Sequence, residues 1–164
     1  LLHSKYSFDA APCGAPMKLS TFTDYSLRML MMLAAQPQRR TTVAEIATAF
    51  GISEHHLGKV AHGLGRHGWL ATARGQGGGL TLALPPKQIV IGDVVRLTEH
   101  GDLPAACFAD DGPVCTLGPV CRLHDVFDEA LQAFYRVLDR YTLADLVHNP
   151  AALSRLLFVD RASR

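Results

Sequence analysis

From Thr23 onward, apolar side chains fall at positions 27, 30, 31 and 34, the spacing of one buried face of a helix. Pro37 and the polar residues around it end the run. Thr42-Val-Ala-Glu45 then has the form of a capping box, in which the Thr hydroxyl takes a free amide and Glu45 reaches back. The helix it opens carries Val43, Ile46, Ala47 and Phe50 and stops at Gly51; Ser53 can cap a second helix through Leu57, Val60, Ala61 and Leu64. Two short helices about a Gly-Ile-Ser turn make a helix-turn-helix pattern, whose second helix can enter the major groove of DNA. Helical hairpins that only build a core share this pattern.

Gly68 ends the second helix, and residues 69–73 and 80–84 read as strands. Between them lies Arg74-Gly-Gln-Gly-Gly-Gly79. A glycine-rich hairpin tip behind a helix-turn-helix is the layout of a winged helix: the glycines let backbone approach phosphates, and Arg74 can reach a narrow minor groove. A nucleotide-phosphate loop would need a helix after the glycines and a Lys in the turn, and neither is present.

Pro85-Pro86 breaks the chain before a short helix at residues 91–98, and residues 100–118 form a loop rich in Gly and Pro. From Pro119 a long helix is predicted to about Arg140. Its apolar positions, Val120, Leu123, Phe127, Ala130, Phe134, Val137 and Tyr141, recur in steps of three and four. Such a seam can pair with a second copy of itself, so a homodimer is expected. Thr142 caps a short helix through Val147, and Asn149-Pro150 marks another break. The fold expected is mainly α with a small β-hairpin wing: a winged helix-turn-helix plus a long dimerisation helix. Four segments follow. Residues 1–16 show no period and read as a disordered extension or a misplaced start; 17–86 form the DNA-binding domain. Residues 87–118 hold the short helix and a cysteine-bearing loop, and 119–164 the dimerisation helix and C-terminal helices.

Composition narrows the function. With 48% apolar and 19% charged residues in 164, the chain can bury a core. Its longest apolar run, residues 29–35, is far short of the roughly 20 needed to span a bilayer. The net charge of +1 hides an asymmetry: residues 17–86 carry seven basic against three acidic side chains, +4, and residues 87–164 eight against eleven, −3. A basic front half suits phosphate, although ordinary solvated surface produces swings of this size.

Cys13 stands alone, while Cys107, Cys115 and Cys121 fall within fifteen residues. The start lacks the charged-then-apolar layout of a secretory signal, so a reducing cytoplasm is expected, where clustered thiols point to metal or redox chemistry. The spacing Cys-x7-Cys-x5-Cys leaves three readings open: an iron–sulphur cluster, zinc or copper(I), or unliganded thiols. An enzyme is not expected. No Cys-x-x-Cys, His-Glu-x-x-His or nucleophile elbow occurs, and a Cys121/His124 pair at the base of a heptad helix has no pocket.

Several blocks carry a resemblance. They are Met17-Lys-Leu-Ser-Thr-Phe-Thr-Asp-Tyr-Ser-Leu-Arg28, the wing, Ile91-Gly-Asp-Val-Val, the three cysteines, and Tyr141-Thr-Leu-Ala-Asp-Leu-Val147. Together, from Met17 to about Phe158, they resemble the NsrR-type nitric-oxide-sensing repressors of the winged-helix iron–sulphur regulator family that also includes IscR. The resemblance implies a cytoplasmic homodimer with one cluster per subunit, [4Fe–4S] in preference to [2Fe–2S]. It would bind palindromic promoter DNA until nitric oxide attacks the cluster. The implied ligands are Cys107, Cys115, Cys121 and, as the fourth, Asp24 of the partner subunit; the IscR-like alternative is His124. Read from the residues alone, Asp24 pairs with Arg28 or favours its helix N-terminus, and His124 is a solvated helix residue.

Two features depart from the family pattern. The gap between Cys107 and Cys115 is longer than the four or five expected, with Asp110, Asp111 and Pro113 in the insertion. The second helix of the helix-turn-helix carries Gly58, Gly63 and Gly65, each costing about 0.5–1 kcal/mol relative to Ala. That predicts a helix frayed until DNA or the dimer orders it. Ser53, Glu54, His55, His56 and Lys59 are the candidates for base edges, and Lys59, Arg74 and Gln76 for phosphate or the minor groove. The alternative functions are an IscR-like regulator responding to iron–sulphur or redox status, and a zinc-stabilised DNA-binding module without gas sensing.

Overall fold

The computed structural model describes residues 18–75, 77–99 and 121–158. Cys13, Gln76, Cys107, Cys115 and Val120 lie outside the described residues, as do the expected N-terminal extension and the loop at 100–118.

Helix α1 (Thr21–Ala35) is the axis of the fold. The sequence marks one buried stripe on it, but Met29, Leu30, Met32 and Leu33 are all buried, with Ala34 and Ala35. A helix apolar nearly all round must be surrounded, and the chain surrounds this one. Helices α3 (Glu54–Arg66), α4 (Ile91–Thr98), α6 (Leu143–Leu146) and α7 (Pro150–Leu157) pack on it, as does strand β2 (Gly79–Leu82). Ile46 of α2 (Val43–Phe50), Leu57 and Leu64 of α3, Leu80, Val94, Val95 and Leu143 complete the core. Each such side chain contributes about 1.5–3 kcal/mol by leaving water.

The caps read from the sequence are formed. Thr42 accepts from the Glu45 amide and Glu45 accepts from the Thr42 amide at 2.7 Å. Burial pushes the Glu45 carboxyl up, but the Thr42 amide and hydroxyl, with Arg39 beside it, hold it below its ordinary value. Gly51 adopts φ 67°, the left-handed conformation that closes α2, and its amide donates to Ala47. Contrary to the expectation of fraying, α3 is continuous through its three glycines. Its buried stripe of Leu57, Val60, Ala61 and Leu64 outweighs their helix cost. Gly63 has a packing reason: a Cβ there would sit 3.0 Å from Phe22 Cζ on α1.

Strands β1 (Leu70–Ala73) and β2 pair antiparallel, Leu70 opposite Leu82 and Ala73 opposite Gly79. Thr41 adds a further bridge to Leu80. After a 3-10 turn at Pro86–Gln88, α4 begins, and its far end is tied to the start of α1. Thr23 Oγ1 donates to Thr98 Oγ1 at 2.8 Å, and the Ser20 amide donates to Glu99 Oε1 at 2.8 Å.

Helix α5 runs over Leu123–Leu138. The sequence expected it from Pro119 to about Arg140; residues 121 and 122 are not helical, so it starts later, and it ends at Leu138, close to the expected stop. Tyr141 accepts from the Ile91 amide, and the Leu143 amide donates to Ile89, so the chain after α5 is paired with the chain before α4. A second tie lies alongside. Arg96 donates to both carboxylate oxygens of Asp139 at 2.7 and 2.6 Å and lies 4.5 Å over the Tyr135 ring. Hydrogen bonding to Arg96 holds the Asp139 carboxyl below its ordinary value. Gly92 makes room for that fork, since a Cβ there would sit 1.9 Å from Asp139 Oδ1. Asn149-Pro150 does more than break the chain: Asn149 accepts from the Ala152 amide and Pro150 opens α7.

Candidate nucleic-acid interface and metal-ligand positions

The two faces of α3 separate cleanly. Leu57, Val60, Ala61 and Leu64 point into the core, while Glu54, His55, His56, Lys59, His62 and Arg66 are exposed. Ser53 caps the helix, accepting from the His56 amide at 3.4 Å, and is itself exposed. The exposed row starts at the N-terminal turns, where a groove-bound helix reaches base edges. The His55 and His56 rings are 6.1 Å apart and tilted, and His56 lies 6.5 Å from the Tyr25 ring of α1. His62 and Arg66 extend the same exposed row beyond the positions that the sequence pattern singles out. Steps of three and four from Lys59 point to them.

The hairpin forms the wing as expected. Gly75 and Gly77 take φ of 89° and 74°. Gly78 cannot carry a side chain, because its Cβ would lie 2.6 Å from the Ala73 carbonyl oxygen. Arg74 is exposed at the base of the tip. Arg40, from the loop before α2, donates to the Gly77 carbonyl at 3.2 Å.

The ligand candidates are placed less completely. Asp24, in the first turn of α1, pairs with Arg28 one turn on, at 2.9 Å. Arg28 also lies 5.9 Å from the centre of the Phe50 ring. Cys121 is a half-buried free thiol just before α5. His124, in the first turn of α5, is exposed with Nδ1 3.9 Å from Asp125 Oδ1. Among the described residues, no three His, Cys, Asp or Glu side chains gather to hold a metal.

Residues 19–149 match the model of Rrf2, described as an iron-dependent transcriptional regulator. The chain belongs to the Rrf2 family. It is 50% identical over 142 residues to the HTH-type transcriptional regulator NsrR of Geobacillus kaustophilus, covering 86% of this chain and 97% of that one. The same regulator of Bacillus subtilis is 46% identical over the same shares. Among solved structures, the T. potens IscR superposes with a TM-score of 0.64 at 25% identity, covering 84% of this chain and 91% of the other. CymR, the global cysteine regulator of B. subtilis, superposes at 0.59 and 27% identity, covering 80% and 97%. This Rrf2 chain is therefore a transcriptional regulator with a winged helix, not an enzyme. The resemblance read from the sequence is confirmed at the level of the family and of its NsrR-named members. No helix among the described residues is long and apolar enough to cross a membrane.

Proposed function

We propose that this chain is a cytoplasmic, nitric-oxide-responsive repressor that binds promoter DNA as a homodimer and leaves it when its iron–sulphur cluster is nitrosylated. The observation that carries the reading is the 50% identity to an NsrR over nearly the whole of that protein, in a chain with three clustered cysteines. Cys121, the one of the three within the described residues, is a half-buried thiol just before a helix start, free among the described residues. Three soft thiolates suit iron–sulphur. Cys107, Cys115 and Cys121 would hold the cluster, [4Fe–4S] in preference to [2Fe–2S], with Asp24 of the partner subunit as fourth ligand and His124 as the alternative. When bound, the cluster supplies the iron with which nitric oxide reacts.

The rest is work for the chain's own residues. Ser53, Glu54, His55, His56 and Lys59 lie on the outward face at the start of α3 and read base edges. Lys59, Arg74 and Gln76 bind phosphate or the minor groove. Leu123, Val126 and Val137 on α5 are 51%, 57% and 45% exposed and supply the apolar face for a second copy. Asp24 sits on the helix whose Phe22 packs against Gly63 of α3. A carboxylate given to a ligand set would have to leave Arg28, coupling that set to the orientation of the reading helix. Half-sites one turn of DNA apart tolerate little change in that orientation.

The test is the visible absorption of anaerobically purified protein before and after nitric oxide, with a gel shift on the same samples. A brown chromophore that bleaches as the shifted band disappears is expected. Colourless protein holding stoichiometric zinc would refute the cluster, and a chromophore whose bleaching leaves the band unchanged would refute its control of DNA binding.

A further inference from the structure

The wing is held from outside the hairpin, by two successive residues of the loop before α2. Thr41 exchanges backbone hydrogen bonds with Leu80, donating at 3.1 Å and accepting at 2.8 Å, which lays a stub of strand along β2. Gly79 permits this approach: a Cβ there would lie 3.2 Å from the Thr41 carbonyl oxygen and 3.3 Å from Arg40 Cβ. Arg40 extends from the stub to the tip and donates from Nη1 to the Gly77 carbonyl.

Its neighbour shows what a purely structural arginine looks like in the same loop. Arg39 is consumed by an ion pair with Glu45, and its guanidinium lies 4.6 Å over the Phe158 ring. Arg40 is exposed, its hydrogen bond goes to a neutral carbonyl, and no carboxylate among the described residues pairs with it. Among the described residues four of its five donors stay available and no carboxylate compensates its charge. Fixing one edge of a planar guanidinium also orients the other, which reduces the entropy lost when a phosphate binds. Arg74, at the base of the same tip, is exposed as well, and cations gathered on a glycine-rich tip suit the backbone beside a minor groove.

We propose that Arg40 is a DNA-contacting residue: one N–H fixes the wing tip at Gly77 and the remainder of the fork binds a backbone phosphate beside the groove the wing enters. This rests on the reading of α3 and the wing as a DNA interface.

The test uses the full chain and a duplex selected by the wild-type protein from a random-sequence pool, with fluorescence anisotropy at salt between 50 and 200 mM. Arg40→Gln should weaken binding about tenfold and reduce the slope of log K against log salt by about 0.9 for each protomer bound. Arg40→Lys keeps the charge and should keep most of the slope while losing part of the affinity, because it lacks the fork. Both variants should melt at the wild-type temperature, since Arg40 is exposed and tied by one hydrogen bond. Wild-type affinity and slope in Arg40→Gln would overturn the proposal, and so would weaker binding at an unchanged slope. If the wild-type protein selects no duplex, it is the DNA-binding reading that fails instead.

Discussion

Helices α3 and α5 are similar in length, 13 and 16 residues, and both have an apolar stripe, yet they end in opposite situations. Helix α3 buries four side chains and turns a row of polar and basic residues outward. Helix α5 buries none, although it carries Leu123, Val126, Phe127, Leu131, Phe134, Val137 and Leu138. Phe134, Tyr135 and Leu138, near its C-terminal end, pack partly on the core, where Arg96 and Asp139 fasten it, while Leu123, Val126 and Val137 face outward. Of the foreseen seam, Phe134 packs on the chain's own core while Leu123, Val137 and Tyr141 are exposed; Tyr135 and Leu138, inward, and Val126, outward, lay outside that seam. An apolar stripe specifies which side chains gain from burial; it does not specify what buries them.

The contrast can be broken from either side. The largest expected effect is in α3. Leu57→Ala removes a fully buried side chain and should cost about 2–5 kcal/mol, seen as an earlier urea midpoint with DNA binding lost through unfolding. The converse is Val126→Glu on α5. Its site is open, so the unfolding free energy from a urea melt should change by less than about 0.5 kcal/mol, while sedimentation should show monomers. Affinity for a palindromic duplex should then fall by about 100-fold as one bivalent contact becomes two separate ones. A Val126→Glu protein that stays dimeric, or that loses its fold, would end the comparison.

A smaller effect sharpens the α3 side. Thr42→Ala deletes a cap at the helix-turn-helix and should cost about 1 kcal/mol by urea melt. The same box sets an acid limit. The folded state holds Glu45 and, through Thr142, Asp145 below their ordinary values, so their contribution is complete at neutral pH. It is present above the unfolded-state values and is lost as pH falls through the lower folded-state values. Stability should therefore decline below about pH 4, and Glu45→Gln should make that decline shallower; an unchanged acid limb would rule the box out as its source.

The smallest expected effect on the fold is the most informative about the ligand. Asp24→Asn breaks an exposed pair with Arg28 and should change apo-protein stability by no more than about 0.5 kcal/mol. If Asp24 is also the fourth ligand, the variant should lose visible absorption much faster in air than wild type. Equal lifetimes would leave Asp24 as the partner of Arg28 and transfer the role to His124.

Legibility differed by the range of the interactions involved. The capping box at Thr42, the Gly51 turn, the buried positions of α3 and the glycine wing follow from contacts within a few residues, and the sequence pattern located each of them. The continuity of α3 did not follow, because the cost of a glycine is local while the compensating contact of Phe22 with Gly63 joins distant segments. The place of Asp24 beside Arg28 was readable at helical spacing, and the resemblance, not the spacing, suggested a second role for it. Arg40 gave no sign: an arginine in a polar loop becomes a wing anchor only when Thr41 is laid beside Leu80.

By itself the sequence determined the order and kind of the elements, the family, and which side chains want burial, because helical period, caps and turn glycines are written in neighbouring residues. Tertiary structure alone decided that α1 is enclosed on nearly every side and that the chain leaving α5 is paired with the start of α4, Tyr141 to Ile91. It also decided which of two adjacent arginines is neutralised. Those outcomes depend on surfaces brought together from remote parts of the chain, and a linear pattern carries no distance between them.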